Sequence, residues 1–191
     1  MKRSAILTGV LALAAHLAFA QSSTWVSDPN HSEVDFTITH MSISKVHGRF
    51  GNVIATLQYN DADVTKSSIR VTVDVTAVDT GVAPRDTDLK SGKFFDVANF
   101  PTATFTSTGV AKNGNKLTVT GNLTLHGVTK PVTLDVEGPS GPAQGMDHKP
   151  HIGFSATTTI SRSAFGIASA MPAGIVGDEV TLTIELDTAK Q

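Results

Sequence analysis

The chain has 191 residues, with 40% hydrophobic side chains, 17% charged side chains, no cysteine and a formal net charge of −2. This length suggests a single domain, and the ordinary hydrophobic fraction excludes disordered, collagen-like and coiled-coil proteins. The charge balance lacks the basic excess that a nucleic-acid partner requires. Without cysteine the chain cannot form disulfides, use a thiol nucleophile or hold zinc by thiolates.

The first twenty residues have the pattern of a secretory signal peptide. Lys2 and Arg3 form a basic start, residues 5–15 are almost wholly apolar, and residues 18–20 supply small side chains before a cut that precedes Gln21. The apolar run is shorter than the roughly 20 residues of a membrane span. We therefore expect cleavage, export and no stable membrane insertion, which leaves residues 21–191 as a single domain.

Side-chain alternation predicts eight strands in residues 21–191. Thr, Val and Ile make up 51 of these 171 residues, and β-branched side chains pack well on a pleated sheet. Alternation with a period of two marks a strand that has one buried face. In chain order it covers residues 33–40, 49–59, 68–78, 102–110, 116–126, 128–137, 151–161 and 179–187.

The connections between these segments favour an antiparallel sheet. Asn113-Gly114 stands between two alternating runs and is a strong hairpin signal. Eight strands with mostly short links predict an all-β fold, either a closed barrel or a sandwich. A barrel would remove the exposed strand edges along which such Thr- and Val-rich sheets aggregate.

One segment, Arg85–Phe100, breaks the alternation and concentrates apolar residues. It contains three of the eight Phe residues of the mature chain. Asp86 and Asp88 are placed to cap a short helical turn. We interpret the segment as a lid over one end of the sheet.

Catalytic motifs are missing, so the sequence predicts no catalytic residue and no cofactor. It has no nucleophile elbow, no zinc-protease motif and no phosphate-binding loop. The histidines fit solvated turns or core positions, and no metal ligand set is assigned. Two more specific alternatives remain. One is a metal site, in which imidazoles such as His40 and His47, or His148 and His151, join Asp35 or Asp74. The other is a hydrolase that uses His and Asp at the rim of the sheet.

Several stretches, taken together, resemble the YceI-like family of exported lipid- or polyisoprenoid-binding proteins. These stretches occur in the family's order along the chain. The first three are residues 25–36 (Trp25, Asp28, His31-Ser32), Gly48-Arg49-Phe50, and residues 85–105 (Arg85-Asp86, Phe94-Phe95-Asp96-Val97, Phe100-Pro101). The last two are residues 121–132 (GNLTLHGVTKPV) and residues 160–167 (ISRSAFGI). The sequence departs from the family pattern at Thr87-Asp88, in the loop from Gly138 to Pro150, and at the His148/His151 pair.

The resemblance implies a periplasmic, lipocalin-like barrel of eight antiparallel strands that binds an amphiphile without catalysis. The ligand would be a polyprenyl chain, an isoprenoid quinone or a fatty-acid derivative. Five small residues, Gly121, Ala55, Ala77, Ala103 and Ala156, would leave room for it if they face inward. The candidate wall residues are Phe36, Phe50, Phe105 and Phe154, the candidate closing residues are Phe94, Phe95 and Phe100, and Met171 would adapt to ligand shape.

Arg85 and Arg162 are candidates for contact with a polar head group, because each lies next to an apolar stretch. Every one of these site residues is equally compatible with plain core packing or surface pairing. A filled barrel that acts as an interaction protein without a ligand therefore stays open. A homodimer is left open as well.

Overall fold

The computed structural model describes residues 22–191, so the predicted signal peptide lies outside the described residues. This part of the chain forms ten strands and one short α-helix, α1 (Ala83–Lys90). The strands are β1 (Ser23–Ser27), β2 (Glu33–His40), β3 (Ser44–Phe50), β4 (Ile54–Tyr59), β5 (Ser68–Asp74), β6 (Thr102–Asn113), β7 (Lys116–Leu125), β8 (Val128–Gln144), β9 (Pro150–Ser161) and β10 (Val176–Lys190).

The strands close into an antiparallel barrel of eight positions. Neighbours run β1–β4–β5–β6–β7–β8–β9–β10, and β10 pairs with β1 to complete the ring. β2 follows β1 along the same edge of β10, and β3 pairs with β2 beyond the end of β4. β1 and β2 thus occupy one position of the ring, and β3 and β4 occupy the next. The predicted all-β, eight-stranded antiparallel barrel is confirmed.

Two predicted strands are shorter than expected. The predicted strand over residues 49–59 is interrupted between Phe50 and Ile54, because Asn52 adopts a left-handed backbone with φ of 53°, a conformation that asparagine tolerates better than most residues. The predicted strand over residues 68–78 ends at Asp74, whose carboxylate accepts a hydrogen bond from the Thr76 amide at 2.9 Å and caps a 3-10 turn.

α1 begins at Ala83, two residues before the lid segment, and ends within it at Lys90, where the sequence predicts a short helical turn. Asp86 and Asp88 do not cap it, since the N-cap residue is Val82 and makes no side-chain cap bond. Asp86 instead accepts hydrogen bonds from the amide and the hydroxyl of Thr80, at 2.9 and 2.5 Å. These bonds tie the first turn of the helix to the loop that precedes it.

The inward faces of the strands form the core, and two departures from simple alternation shape it. A bulge in β6 between Ser107 and Gly109 shifts the register, so that Phe105 and Val110 both face inward. Gly121 of β7 lies under the Phe105 ring, and a Cβ at Gly121 would stand 2.3 Å from Cζ of Phe105. Gly121 therefore adds no free space, contrary to the prediction.

Candidate functional site

The barrel encloses an apolar cavity of about 500 Å³. Pockets that bury small-molecule ligands have volumes of about 300 to 1,000 Å³, so the cavity has the size of a ligand site. Side chains from β2 to β10 and from α1 line it, and most of them are aliphatic or aromatic. Of the four alanines proposed as sources of space, Ala103 and Ala156 are among the lining residues, whereas Ala55 and Ala77 are not.

Aromatic rings form part of the cavity wall where the sequence places them. Phe36, Phe50, Phe105 and Phe154 all line the cavity. The Phe36 and Phe50 ring centroids are 5.3 Å apart, and Phe95 from the lid packs edge-on against Phe50 with its centroid at 5.4 Å. This row of rings connects the wall to the lid.

The lid segment places two of its three predicted closing residues, Phe94 and Phe95, at the cavity. Met171, which was expected to adapt to ligand shape, also lines the cavity, from the loop before β10. Phe100 is not among the lining residues. Its ring centroid lies 4.7 Å from that of His126, and the ring covers Gly127 in the turn between β7 and β8. Phe100 therefore fastens the end of the lid segment to the turn between β7 and β8.

Sequence reasoning singled out aromatic residues and passed over the aliphatic ones that complete the wall. The signal for these was the same alternation that predicted the strands. The aliphatic lining includes Val71, Val73, Leu123, Leu134, Val180, Leu182, Ile184 and Leu186.

Arg162 borders the cavity, but its guanidinium hydrogen-bonds only backbone carbonyl groups among the described residues. Its side chain is only 4% exposed. Its guanidinium donates five hydrogen bonds, all to carbonyl oxygens, at 2.5–3.0 Å, and the acceptors belong to Ile167, Ala168, Met171, Val176 and Gly177. A guanidinium has five N–H donors, so this set leaves Arg162 no donor for a head group.

Arg85 is the better-placed cation. It lies on α1, is half-buried and borders the cavity together with Asp88. Within residues 22–191 its side-chain hydrogen bonds go to Thr80 alone, from Nε to Oγ1 at 2.7 Å and from Nη2 to the carbonyl oxygen at 2.9 Å. These two bonds hold the guanidinium in place and use two of its five donors.

The lid end of the cavity has a rim of both polar and apolar side chains. His40, Asp88 and Ile175 line the cavity and are also exposed. On the turn between β2 and β3, Met41 is 56% exposed and Ile43 is 84% exposed. The Met41 amide donates to the Ile175 carbonyl at 2.7 Å, which joins this turn to the loop before β10.

The predicted histidine pairs do not meet as the metal alternative required. His40 lines the cavity, whereas His47 hydrogen-bonds Thr37 at 3.0 Å beside a separate surface groove. His148 is exposed, and Asp74 is bonded to Thr76 and Asn52. The structure brings together a different set, Asp28, His31 and Asp187, which sequence reasoning missed.

Among the described residues, no helix is both long enough and apolar enough to cross a membrane.

A closed antiparallel barrel around an apolar cavity, with a helical lid at one end, defines a single-domain barrel of the kind that holds one small ligand. A family profile described as the YceI-like domain matches residues 25–188. The chain belongs to the YceI-like family.

Known relatives agree with this assignment. Protein YceI of Salmonella newport is 38% identical over 165 residues, which cover 84% of this chain and 83% of the relative. Among solved structures, Burkholderia cenocepacia BcnA is 28% identical with a TM-score of 0.75, covering 84% of this chain and 98% of BcnA. The Campylobacter jejuni YceI protein is 34% identical with a TM-score of 0.71, covering 81% and 90%.

A more distant barrel shares the fold. A polyisoprenoid binding domain from Saccharophagus degradans is 15% identical with a TM-score of 0.63, and the match covers 90% of this chain and all of that domain.

Proposed function

We propose that the protein is a non-catalytic, periplasmic binding protein that holds one amphiphile with a long apolar chain inside the barrel. The observation that carries the proposal is the apolar cavity of about 500 Å³. The candidate ligands are a polyprenyl chain, an isoprenoid quinone and a fatty-acid derivative. Such a protein would act as a carrier, a scavenger or a stress-related protein.

The cavity favours this function over a filled barrel that only contacts other proteins. A core without a ligand is normally packed as densely as an organic crystal, with few voids larger than a water molecule. Large ligands gain about 0.3 kcal/mol per heavy atom, so a chain of about twenty atoms gains about 6 kcal/mol from apolar contact. Tight binding would therefore need few polar contacts.

Arg85 would receive the polar head of the ligand. It borders the cavity beside the lid, and the hydrogen bonds to Thr80 fix its orientation. Asp88 on the same helix also borders the cavity, so a head group with oxygen acceptors and little negative charge suits this end. The exposed apolar side chains of Met41, Ile43 and Ile175 would give the chain an apolar surface to enter along, beside the polar His40 and Asp88.

The relatives lend support at the level of the family. The Saccharophagus degradans domain with the same fold is described as polyisoprenoid-binding, which makes a prenyl chain the first ligand to test.

The proposal that the protein is exported rests on the sequence pattern of residues 1–20. Cell fractionation and N-terminal sequencing of the mature protein would test it, with Gln21 expected as the first residue.

The decisive measurement is native mass spectrometry of protein purified from the periplasm without detergent, followed by organic extraction. We expect a bound mass that reappears in the extract as a prenyl or acyl compound. A ligand-free mass that stays unchanged after incubation with quinones and fatty acids would contradict the proposal and favour the filled barrel.

A pair of neighbouring variants locates the ligand. Ala156→Phe would fill the cavity from β9, whereas Thr157→Phe adds the same ring on the exposed outer face of that strand. We expect the first folded variant to lose at least about tenfold in affinity, which corresponds to about 1.4 kcal/mol. The second should bind as the wild type does. Equal binding by both variants would exclude the barrel interior around Ala156 as the site.

A further inference from the structure

A cluster of metal-ligating side chains lies on the outer wall of the barrel, where β10 changes its partner from β2 to β1. Asp28 and His31 belong to the link between β1 and β2, and Asp187 belongs to β10. The carboxylate and imidazole ligand atoms of these three residues all lie within 4.8 Å of one another. Nδ1 of His31 is 2.9 Å from Oδ2 of Asp28.

The backbone holds the three residues in register. The Asp28 amide donates to the Asp187 carbonyl at 2.8 Å. The Ser32 hydroxyl donates to the same carbonyl at 3.1 Å and accepts from the Asp187 amide at 3.2 Å. Ser32 is buried, so the link between β1 and β2 is fixed to β10 at both ends of the cluster.

His151 supports the cluster from the neighbouring strand. Its Nδ1 lies 2.6 Å from Oδ1 of Asp187, and its Nε2 lies 3.0 Å from Oδ1 of Asp147. The imidazole is largely buried, with 13% of the side chain exposed. Residues that hydrogen-bond a metal ligand orient it and tune its affinity. His151 is thus placed as a positioning residue for Asp187.

The charge of the cluster suits a cation. Together with the neighbouring His151 and Asp147, the cluster gathers three carboxylates and two imidazoles. One imidazole with two carboxylates is a nitrogen–oxygen ligand set that zinc and related divalent ions accept. Three protein ligands also leave a coordination position for water.

We propose that Asp28, His31 and Asp187 bind a divalent transition-metal ion, of which Zn²⁺ is the representative, on the outer wall of the barrel. His151 orients Asp187 for the metal. The cluster lies outside the apolar cavity, and the proposal does not depend on what the cavity holds.

The test is calorimetric titration of Zn²⁺ into tag-free protein that has been stripped with EDTA and dialysed. We expect one saturable site per chain in the wild type. His31→Gln and Asp187→Asn should weaken it at least about tenfold, as the loss of a ligand or its partner does in metal sites. His47→Gln removes an exposed histidine elsewhere on the barrel and should leave the affinity unchanged.

The outcomes separate cleanly. Absence of saturable binding by the wild type, wild-type affinity in His31→Gln, or an equal loss in His47→Gln would overturn the proposal. His31 is 69% exposed, so its substitution does not threaten the fold and decides the matter even where Asp187→Asn fails to fold. For His151→Gln, the visible absorption of bound Co²⁺ should change, whereas His47→Gln should leave it unchanged.

Discussion

Arg162 shows how much the role of one charged residue depends on the path of the chain around it. The sequence places it beside an apolar stretch, which made a head-group contact a reasonable expectation. In the structure the loop from Ile167 to Gly177 curls around the guanidinium and turns five carbonyl oxygens toward it. These contacts could not be predicted from the sequence, because no residue pattern indicates the direction in which the carbonyl groups of a loop point.

Substitution of Arg162 by lysine tests this structural role. An ammonium has three donors and no planar fork, so several buried carbonyls would lose their partners. We expect Arg162→Lys to lower the free energy of unfolding by about 2 to 4 kcal/mol, measured by urea denaturation. Arg49→Lys is the control, because Arg49 makes an exposed ion pair with Asp79 at 3.3 Å and should change stability by less than about 0.5 kcal/mol. Equal effects would refute the structural role.

Gly121 is a second residue whose role is set by a close contact. An added Cβ would stand 2.3 Å from Cζ of Phe105 and 2.6 Å from the Thr106 carbonyl oxygen. We expect Gly121→Ala to destabilise the fold by about 1 to 3 kcal/mol, seen as a lower thermal midpoint. At Gly51 the nearest atom to an added Cβ is 3.9 Å away, so Gly51→Ala should be tolerated. A tolerated Gly121→Ala would mean that the Phe105 ring lies elsewhere.

At the scale of elements, alternation predicted where most long strands begin but not how far they extend, and it predicted the short strands poorly. β8 continues to Gln144, through the first half of the loop predicted from Gly138 to Pro150. The starts of β2, β5, β6, β7 and β8 agree with the prediction, because each strand carries several inward apolar residues in sequence. β1 has five residues, and the first half of β3 is exposed and polar, so neither shows a clear period. Their strand character comes from pairing with β10, β4 and β2, which a local pattern does not contain.

Asp178, near the start of β10, provides a pH-dependent element. The Ser161 hydroxyl and then Ser163 donate to the Asp178 carboxylate, and these bonds lower the pKa of Asp178 from 3.8. A native pKa below the unfolded value means that the unfolded chain binds the proton more readily. The stabilisation is therefore present above pH 3.8 and is lost as the pH falls through the lower native pKa.

Asp178→Asn should be less stable than the wild type at neutral pH, with the difference shrinking as the pH falls below 3.8. Urea denaturation at a series of pH values measures this. Glu179→Gln removes the same charge from the exposed neighbouring position and should show no comparable convergence. A stability difference for Asp178→Asn that stays constant with pH would show that the hydrogen bonds do not favour the carboxylate.

At the scale of the whole molecule, the cavity was the part of the site that sequence predicted best. Alternation faces the wall residues inward, and closure of the ring brings them together. Phe100 could not be assigned in this way, because the direction of a ring in an irregular segment follows from contacts with His126 and Gly127. The cluster of Asp28, His31 and Asp187 was missed for a related reason, since only ring closure brings Asp187 beside the link between β1 and β2.

A cavity inside the core couples ligand binding to the stability of the whole barrel. A ligand that binds only the native state at one hundred times its Kd adds about 2.7 kcal/mol, and a domain of this size shifts its thermal midpoint by about 2 to 4 °C per kcal/mol. We expect organic extraction to lower the melting temperature by several degrees and readdition of the extracted ligand to restore it. The Ala156→Phe variant should have the same melting temperature before and after extraction, because the added ring fills the cavity. An unchanged wild-type midpoint would argue against a ligand in the core.

The pairing of β1 with β10 also has a consequence for how the protein folds. The ring closes where β10 meets β1 and β2, and its closing pairs, such as Trp25 with Lys190, join residues far apart in the chain. Contacts of this kind slow folding, because loop-closure entropy is lost before the contact forms. A circular permutant that links residue 191 to residue 22 and opens the exposed loop at residues 145–149 would make this contact local. Its barrel would then close early in folding, with the native strand pairs retained.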